Sequence, residues 1–454
     1  MTIALSLSAG LILAYQDVVF LAASTVAVPL AAAGWRKLFF LGRLMAPKQK
    51  SPRKEARRPV WADVDLGALA ENFHAIRRFV NPPTEKRKTP RKVLCIVKGN
   101  GYGHGGPQVA KALEKAGSDW FGVTCTEEGI ALREAGVRKP VLILTGFSPG
   151  EEARLIEHNL TAVIHRCDQL EPLDRAAARS GRLSGRSRQS ASKKVTFHLK
   201  MDTGMNRLGI APGDVDCFAR QLAKCKHLEL SGVFTHFASS EVLTNTRTGE
   251  QTRQQEDRFY AALDRMRALG IDPGIVHLAN SAAIATRPET WADMVRPGAI
   301  LYGYHPGYDP VERRPEIEAR LPLKPVMSLR TRIINIRSIP EGAGVGYNET
   351  FIAKRPSRIA VLAAGYGDGI HRSLGNRGNV LVRGEVAPMV GIVSMDVTMI
   401  DVTDVAGVEV GDVVTFYGVD GEIVRPANII ARSIGTVTSD LLCAVSQRVP
   451  RIYF

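Results

Sequence analysis

From about residue 60 onward, short apolar runs alternate with stretches of helical spacing. Leu66, Leu69, Ala70, Phe73 and Ile76 recur on one face of a 3.6-residue period. Val93-Leu94-Cys95-Ile96-Val97 then forms a continuous apolar run, the pattern of a strand buried on both faces. The alternation continues, and it predicts strands at 93–98, 120–125, 140–146, 161–165, 195–202, 228–237, 274–279 and 293–296. Helices are expected between most of them, at 108–116, 127–135, 150–158 and 254–269. Ser148-Pro149 ahead of Glu151-Glu152 is a helix start. Eight strands with intervening helices over about 230 residues predict a TIM-like (β/α)8 barrel, an α/β fold.

After about residue 323 the pattern changes. Val/Ile-rich runs at 327–339, 359–364, 379–382, 398–402 and 412–417 are separated by Gly, Asp and Asn turns, which predicts a mostly antiparallel β domain. A short helix is expected at 427–434. The domain reading is therefore an extension at 1–56, the barrel at 57–323 and the β domain at 324–454.

The extension has its own pattern. Apolar runs at 4–15 and 18–34 are split by Gln16-Asp17. The second is about 17 residues long, at the lower limit for spanning a bilayer, and contains Pro29. Arg36, Lys37, Arg43, Lys48 and Lys50 follow it. If this run spans, the positive-inside rule leaves the body in the cytoplasm. A secretory signal carries positive charge before its apolar core, which this chain lacks, although Ala31-Ala32-Ala33 imitates a cleavage site. A start at Met45 is the other reading. The expectation is a cytoplasmic body, free or tethered to the inner membrane through residues 1–45, with the periplasm disfavoured. Residues 46–58 read as a Pro/Lys/Arg linker.

Charge changes this picture little. Of the net charge of +15, seven units lie in residues 1–60 and seven in the Ser/Arg-rich stretch 175–194. The remaining body is nearly neutral, which argues against a specific nucleic-acid partner. The basic stretch reads as a solvated, flexible insertion. The six cysteines are scattered without C-x-x-C spacing, which argues for reduced thiols and against a disulfide scaffold or metal site.

Candidate chemistry gathers where the predicted strands end, the place barrel enzymes keep their sites. Lys98 closes the first apolar run and enters Gly99-Asn100-Gly101-Tyr102-Gly103. An amine so placed suits a Schiff base; a surface lysine before an ordinary turn is the competing reading. Lys200 and Arg207 follow the fifth strand and His236 the sixth. Asn280-Ser281 follow the seventh, and Arg296-Pro297-Gly298 the eighth. Arg207 suits a carboxylate. Asn280-Ser281 opening a helix suits either a phosphate or a plain cap.

Nine segments extend these positions in order: VKGNGYGHG, KMDTGMNRLGI, THFASSE, HLANSAA, MVRPGAILYG, VGYNETF, GYGDGIHRSL, VGIVSMDVTMIDVT and RVPRIYF. With them the chain from Trp61 to Phe454 resembles the bacterial alanine racemases, pyridoxal 5'-phosphate enzymes built as a barrel plus a β domain. The resemblance implies that Lys98 binds the cofactor and is one catalytic base, and that Tyr347, from the partner subunit of a homodimer, is the other. It implies that Arg207 and the Met395 N–H hold the carboxylate of a small amino acid, with Tyr366 at the entrance. Tyr102, Ser281 and Gly298 would hold the phosphate, with Asn280 beside them. Arg296 would face the pyridine nitrogen, and His236 would link it to Tyr347. Lys200 matches a lysine that is often carbamylated.

Racemisation removes the α-proton from one face and returns one on the other, so two opposed bases suffice. Free lysine and tyrosine titrate near ~10, so both need lowering. Arginine stays protonated and cannot accept the pyridine proton, which limits side reactions such as transamination. Four departures from the family are visible. Gly99 and Gly101 stand where alanines are usual, an expectation of a more mobile loop. Asn206 replaces a glycine, Ser394 a cysteine or similar small residue, and Ser439 a tyrosine. The leading expectation is alanine racemisation supplying D-alanine for peptidoglycan, with a broader serine-accepting racemase as the alternative. A decarboxylase is disfavoured because opposed bases imply proton exchange. A scaffold without catalysis is disfavoured because Lys98, Tyr347 and Arg207 are all present.

Overall fold

The computed structural model of the protein describes residues 59–183 and 194–454. Expectations for residues 1–58 and for the insertion at 184–193 lie outside them. Among the described residues no helix is long and apolar enough to cross a membrane.

The first described strand, β1 (Val60–Val64), is wholly buried. It does not join the strands that follow it. It pairs antiparallel with a long strand near residue 330, Val60 opposite Thr331 and Val64 opposite Met327, and parallel with Arg451–Tyr453 at the C-terminus. An ion pair of 3.1 Å between Asp63 and Arg330 fixes this register. This pairing runs across the boundary expected between residues 323 and 324: the head of the segment expected to be barrel is a strand of the C-terminal sheet.

Helix Leu66–Val80 follows, capped by the Asp65 carboxylate, which accepts from Ala68 N at 2.8 Å. Eight parallel strands come next. They are β2 (Lys92–Ile96), β3 (Trp120–Val123), β4 (Val141–Ile143), β5 (Ala162–Ile164), β6 (Val195–Lys200), β7 (Leu228–Phe234), β8 (Ile275–His277) and β9 (Met294–Val295). They form two four-stranded sheets in the orders β4-β3-β2-β9 and β5-β6-β7-β8. Main-chain bonds join the sheets at both seams, Thr161 N to Val141 O at 2.8 Å and Asp293 N to Val276 O at 3.0 Å. Near-continuous burial of these strands is what a parallel sheet covered by helices requires.

Helix Leu170–Leu183 corrects one expectation. The basic stretch from residue 175 continues this helix for two turns, with Leu170, Leu173, Ala176 and Ala177 buried. A charge count read its polar face and missed the apolar stripe.

The C-terminal domain is built on β10 (Met327–Ile339). Ser357–Leu362 and Val413–Asp420 pair antiparallel with it, and Asn379–Val382 pairs with Glu385–Val390. The last two helices, Ala427–Ser433 and Thr438–Cys443, lie just before the final strand.

Candidate active site

Lys98 leaves β2 through a turn of unusual hand. Gly99, Asn100 and Gly101 have φ/ψ of 62/43°, 53/47° and 63/46°, and Tyr102 has φ 51°. This is one turn of left-handed helix, which costs an L-residue about 1–2 kcal/mol per position and glycine almost nothing. Glycine at 99 and 101 therefore answers a conformational demand. The turn is tied down. Glu128 Oε1 accepts from Gly99 N at 2.6 Å and Asn100 N at 3.2 Å, while Oε2 accepts from Thr124 N at 2.8 Å. Asn100 Oδ1 accepts from Gly106 N at 2.8 Å. Burial, then the Arg207 guanidinium, lowers the Lys98 pKa from the ordinary lysine value.

Tyr102 turns back from this loop onto Tyr302, ring centroids 4.9 Å apart. Its hydroxyl lies over Gly298, where a Cβ would sit 2.7 Å from that oxygen and 3.6 Å from Ser281 Oγ. Gly298 N donates to Ser281 Oγ at 2.9 Å, which leaves the serine proton free to donate. Burial pushes the Tyr102 phenol up to about 12, so it too stays a donor. Asn280 is the cap of helix Ser281–Thr286, accepting from Ala283 N at 3.1 Å and Ser240 Oγ at 2.8 Å. Its part is to hold Ser281.

Arg296 is 3% exposed. Nη1 donates to His277 O at 2.8 Å and faces His277 Nδ1 at 3.2 Å. Nη2 donates to Thr235 O at 2.7 Å and Leu278 O at 2.8 Å, and faces His236 Nδ1 at 3.3 Å. Both terminal nitrogens are committed to protein, whereas Nε makes no hydrogen bond among the described residues. Burial lowers this guanidinium to about 9. Burial first, then Arg296, holds His236 neutral.

The loop after β6 is organised by Asp202, whose carboxylate accepts from the main-chain N–H of Gly204, Asn206 and Arg207 at 2.9–3.1 Å. Asn206 has φ 56°, which explains asparagine in place of glycine. Lys200 is buried, and burial, followed by Arg207 and Arg296, lowers its amine to about 8.

Lys98, Lys200, Arg207, His236 and Arg296 are thus within electrostatic reach of one another. Tyr347, Tyr366 and Met395 are not brought to them within the chain. They lie on the C-terminal domain, 67%, 44% and 53% exposed, and no hydrogen bond, ion pair or ring contact joins them to Lys98 among the described residues. Met395 N makes no hydrogen bond there either, while its carbonyl accepts from Gly367 N at 2.9 Å and Arg448 Nη2 at 3.2 Å.

Sequence reasoning passed over two supporting residues. Glu128, in the first turn of helix Thr126–Glu134, was not singled out. Gln255, fully buried, donates to His236 O at 3.0 Å and Thr203 Oγ1 at 3.3 Å and accepts from Ala238 N at 2.9 Å. A polar residue mid-helix gives no signal of such a role before its partners are known.

Comparisons with known proteins agree across the described body. The family profile described as alanine racemase, N-terminal domain, matches residues 64–306, and that for the C-terminal domain matches 326–453. Alanine racemase of Geobacter sulfurreducens is 40% identical over 404 residues, covering 87% of this chain and 97% of that protein. Alanine racemase 2 of Caldanaerobacter subterraneus subsp. tengcongensis is 39% identical over 398 residues, covering 87% and 95%. Among solved structures, the alanine racemase of Clostridium difficile 630 superposes with a TM-score of 0.76 at 32% identity, covering 88% of this chain and 97% of the other.

Proposed function

The chain belongs to the alanine racemase family, and from that premise we propose how its own residues divide the interconversion of L- and D-alanine. It is a racemase of the pyridoxal-phosphate-dependent isomerases. The broader serine-accepting reading is not favoured, since the relatives carry the alanine name.

The residues fit the cofactor. The space over Gly298 that a Cβ would fill, two hydroxyl donors beside it and an uncommitted Arg296 Nε–H suit a phosphate at one end and a basic ring nitrogen at the other. When bound, pyridoxal phosphate withdraws electrons from the substrate's α-carbon and acidifies its proton. Lys98 Nζ would hold the cofactor and move a proton at Cα on one face, a task eased by its lowered pKa. Arg207 and the Met395 N–H would hold the carboxylate, and Tyr366 would line the entrance.

Tyr347 of a second copy would serve the opposite face, making the working unit a homodimer with shared sites. What supports this is the exposure of Tyr347, Tyr366 and Met395 in one chain. His236 accepts from Arg296 at Nδ1, so its proton sits on Nε2, an N–H available to the tyrosine oxygen. Lys200, lowered to about 8, holds enough neutral amine near neutral pH to take up carbon dioxide. Its carbamate would place a negative charge beside Arg207. The seam bonds support a closed (β/α)8 barrel, and six unpaired cysteines fit a reducing cytoplasm. The D-alanine formed there would supply peptidoglycan.

The observation that carries this reading is the Tyr102–Ser281–Gly298 cradle, whose tyrosine sits on the same turn as Lys98, an amine of lowered pKa. The test is exchange of the α-hydrogen of L-alanine and L-serine in D2O, with chiral analysis. Deuterium should enter both enantiomers of alanine, and Lys98→Ala should abolish both exchange and the visible absorption band of the bound cofactor. Alanine that loses carbon dioxide or keeps its α-hydrogen would sink the reading; serine exchanging as fast as alanine would restore the broader one.

A further inference from the structure

Beyond Arg296, two more imidazoles lie in series. His277 on β8 and His198 on β6 are fully buried. Arg296 Nη1 faces His277 Nδ1 at 3.2 Å, and His277 Nε2 lies 2.9 Å from His198 Nδ1. His198 Nε2 has no hydrogen-bond partner among the described residues.

These contacts fix every proton. A guanidinium only donates, so His277 Nδ1 presents a lone pair to Arg296. A neutral imidazole has one N–H, which His277 must then carry on Nε2 and donate to His198 Nδ1. His198 accepts at Nδ1 and carries its own proton on Nε2, the atom without a partner. Burial keeps both rings neutral, lowering His198 to about 3 and His277 well below the usual histidine range.

The series ends on an unpaired buried N–H, which costs about 1–3 kcal/mol. An apolar ring of similar size would avoid that cost. The surroundings are nevertheless shaped to the imidazole. A Cβ at Gly232 would meet three of its ring atoms at 2.6–2.8 Å, and Trp120 covers it at 5.1 Å between centroids. What His198 contributes must lie on its other edge, at Nδ1.

We propose that His198 is a positioning residue for the racemase reaction. By accepting at Nδ1 it locks the His277 tautomer that meets Arg296 with a lone pair, and so holds the guanidinium with Nε–H turned to the cofactor site. The inference rests on the reading of Arg296 as the partner of the cofactor's ring nitrogen. Phenylalanine at position 198 fills the space but accepts nothing. The His277 Nε2–H then has no acceptor, a cost of about 1–3 kcal/mol that opposes the lone pair Arg296 asks for at Nδ1, so the two tautomers come to compete. Asparagine restores an acceptor near the Nδ1 position and omits the unpaired N–H.

The test uses full-length holoenzyme labelled with 15N-histidine: wild type, His198→Phe and His198→Asn. It reads the His277 nitrogen shifts, the cofactor's visible band, and kcat and KM for L-alanine. Wild type and His198→Asn should show His277 protonated on Nε2, with kcat within about threefold of each other. His198→Phe should put part of the His277 proton on Nδ1, shift the band and lower kcat about tenfold with KM nearly unchanged. Wild-type His277 protonated on Nδ1 overturns the proposal without any variant. So does His198→Asn behaving like His198→Phe, which would reduce the ring to packing. A moved proton with an unchanged band and kcat overturns it as well, by removing Arg296 from the reaction, while alanine exchange in wild type would still support the racemase reading.

Discussion

The Lys98 turn and the Tyr347 turn are built alike and held differently. Each places non-glycine residues at positive φ: Asn100 and Tyr102 in the first, Asn348 and Glu349 in the second. Backbone of this kind persists only where the surroundings over-determine it. Around Lys98 they do. Glu128 binds two of the turn's N–H groups, Arg451 Nε donates to Gly103 O at 2.9 Å, and a Cβ at Gly103 would collide with the Leu442 carbonyl. Around Tyr347 the support is thinner. The turn joins two-residue strands, Gly344–Val345 and Phe351–Ile352, and Asn376 Nδ2 donates to Thr350 Oγ1 at 3.1 Å. The tyrosine ring itself has no protein partner among the described residues. The Lys98 turn is tied down within its own chain, and the Tyr347 turn leaves its ring exposed.

The sharpest way to break this contrast is to mix defects. On the proposed reading, Lys98→Ala and Tyr347→Phe variants, each alone, should lose about 10²–10⁴-fold in racemisation, the range of a missing acid–base group. If sites are shared across a two-fold axis, a mixed dimer of the two variants carries one doubly defective site and one intact site. Equal mixing, after unfolding and refolding together, should recover roughly a quarter of wild-type activity. No recovery would mean that both bases belong to one chain.

The same contrast explains what the chain disclosed beforehand. The eight parallel strands were legible because most are short apolar runs, and Lys98, Arg207 and Arg296 drew notice because they stand at or just after strand ends. The partner of β1 was not legible: Val60 meets Thr331 across the whole intervening sequence, and five residues carry no mark of that distance. Helix Leu170–Leu183 was hidden by its basic face. Gly99-Asn100-Gly101 announced freedom, but the hand of the turn and its clamp depend on Glu128, nearly thirty residues on. Buried polar groups such as Gln255 and His198 acquire meaning only from their partners.

Glu128→Gln sharpens the comparison at the closed turn. Glutamine keeps one carbonyl oxygen for Gly99 and Asn100, but turns an amide donor toward Thr124 N, which now meets Glu128 Oε2 at 2.8 Å. Leaving that N–H unpaired costs about 1–3 kcal/mol, and a displaced Lys98 should lower kcat by about 10- to 100-fold while alanine KM holds. Changing Asn376 to alanine in the open turn should cost less in kcat if, as proposed, a second copy holds the tyrosine. Equal losses in the two variants would erase the distinction drawn between the turns.

The smallest expected effect concerns the glycines. Alanine at Gly99 or Gly101 must adopt φ near +62°, costing about 1–2 kcal/mol, partly offset by about 0.4–1 kcal/mol from a less flexible unfolded chain. The two positions differ in space. A Cβ at Gly99 makes ordinary contact with Cys443 Sγ at 3.4 Å, whereas one at Gly101 presses on the Gly106 main chain at 3.2 Å. Denaturation midpoints should therefore fall for both variants, and further for Gly101→Ala. Amide exchange at Gly99 and Asn100 should be slow in wild type, since both N–H groups end on Glu128. If those amides exchange freely and Gly99→Ala raises the midpoint, the glycines serve motion, and the Lys98 turn is no better held than the one carrying Tyr347.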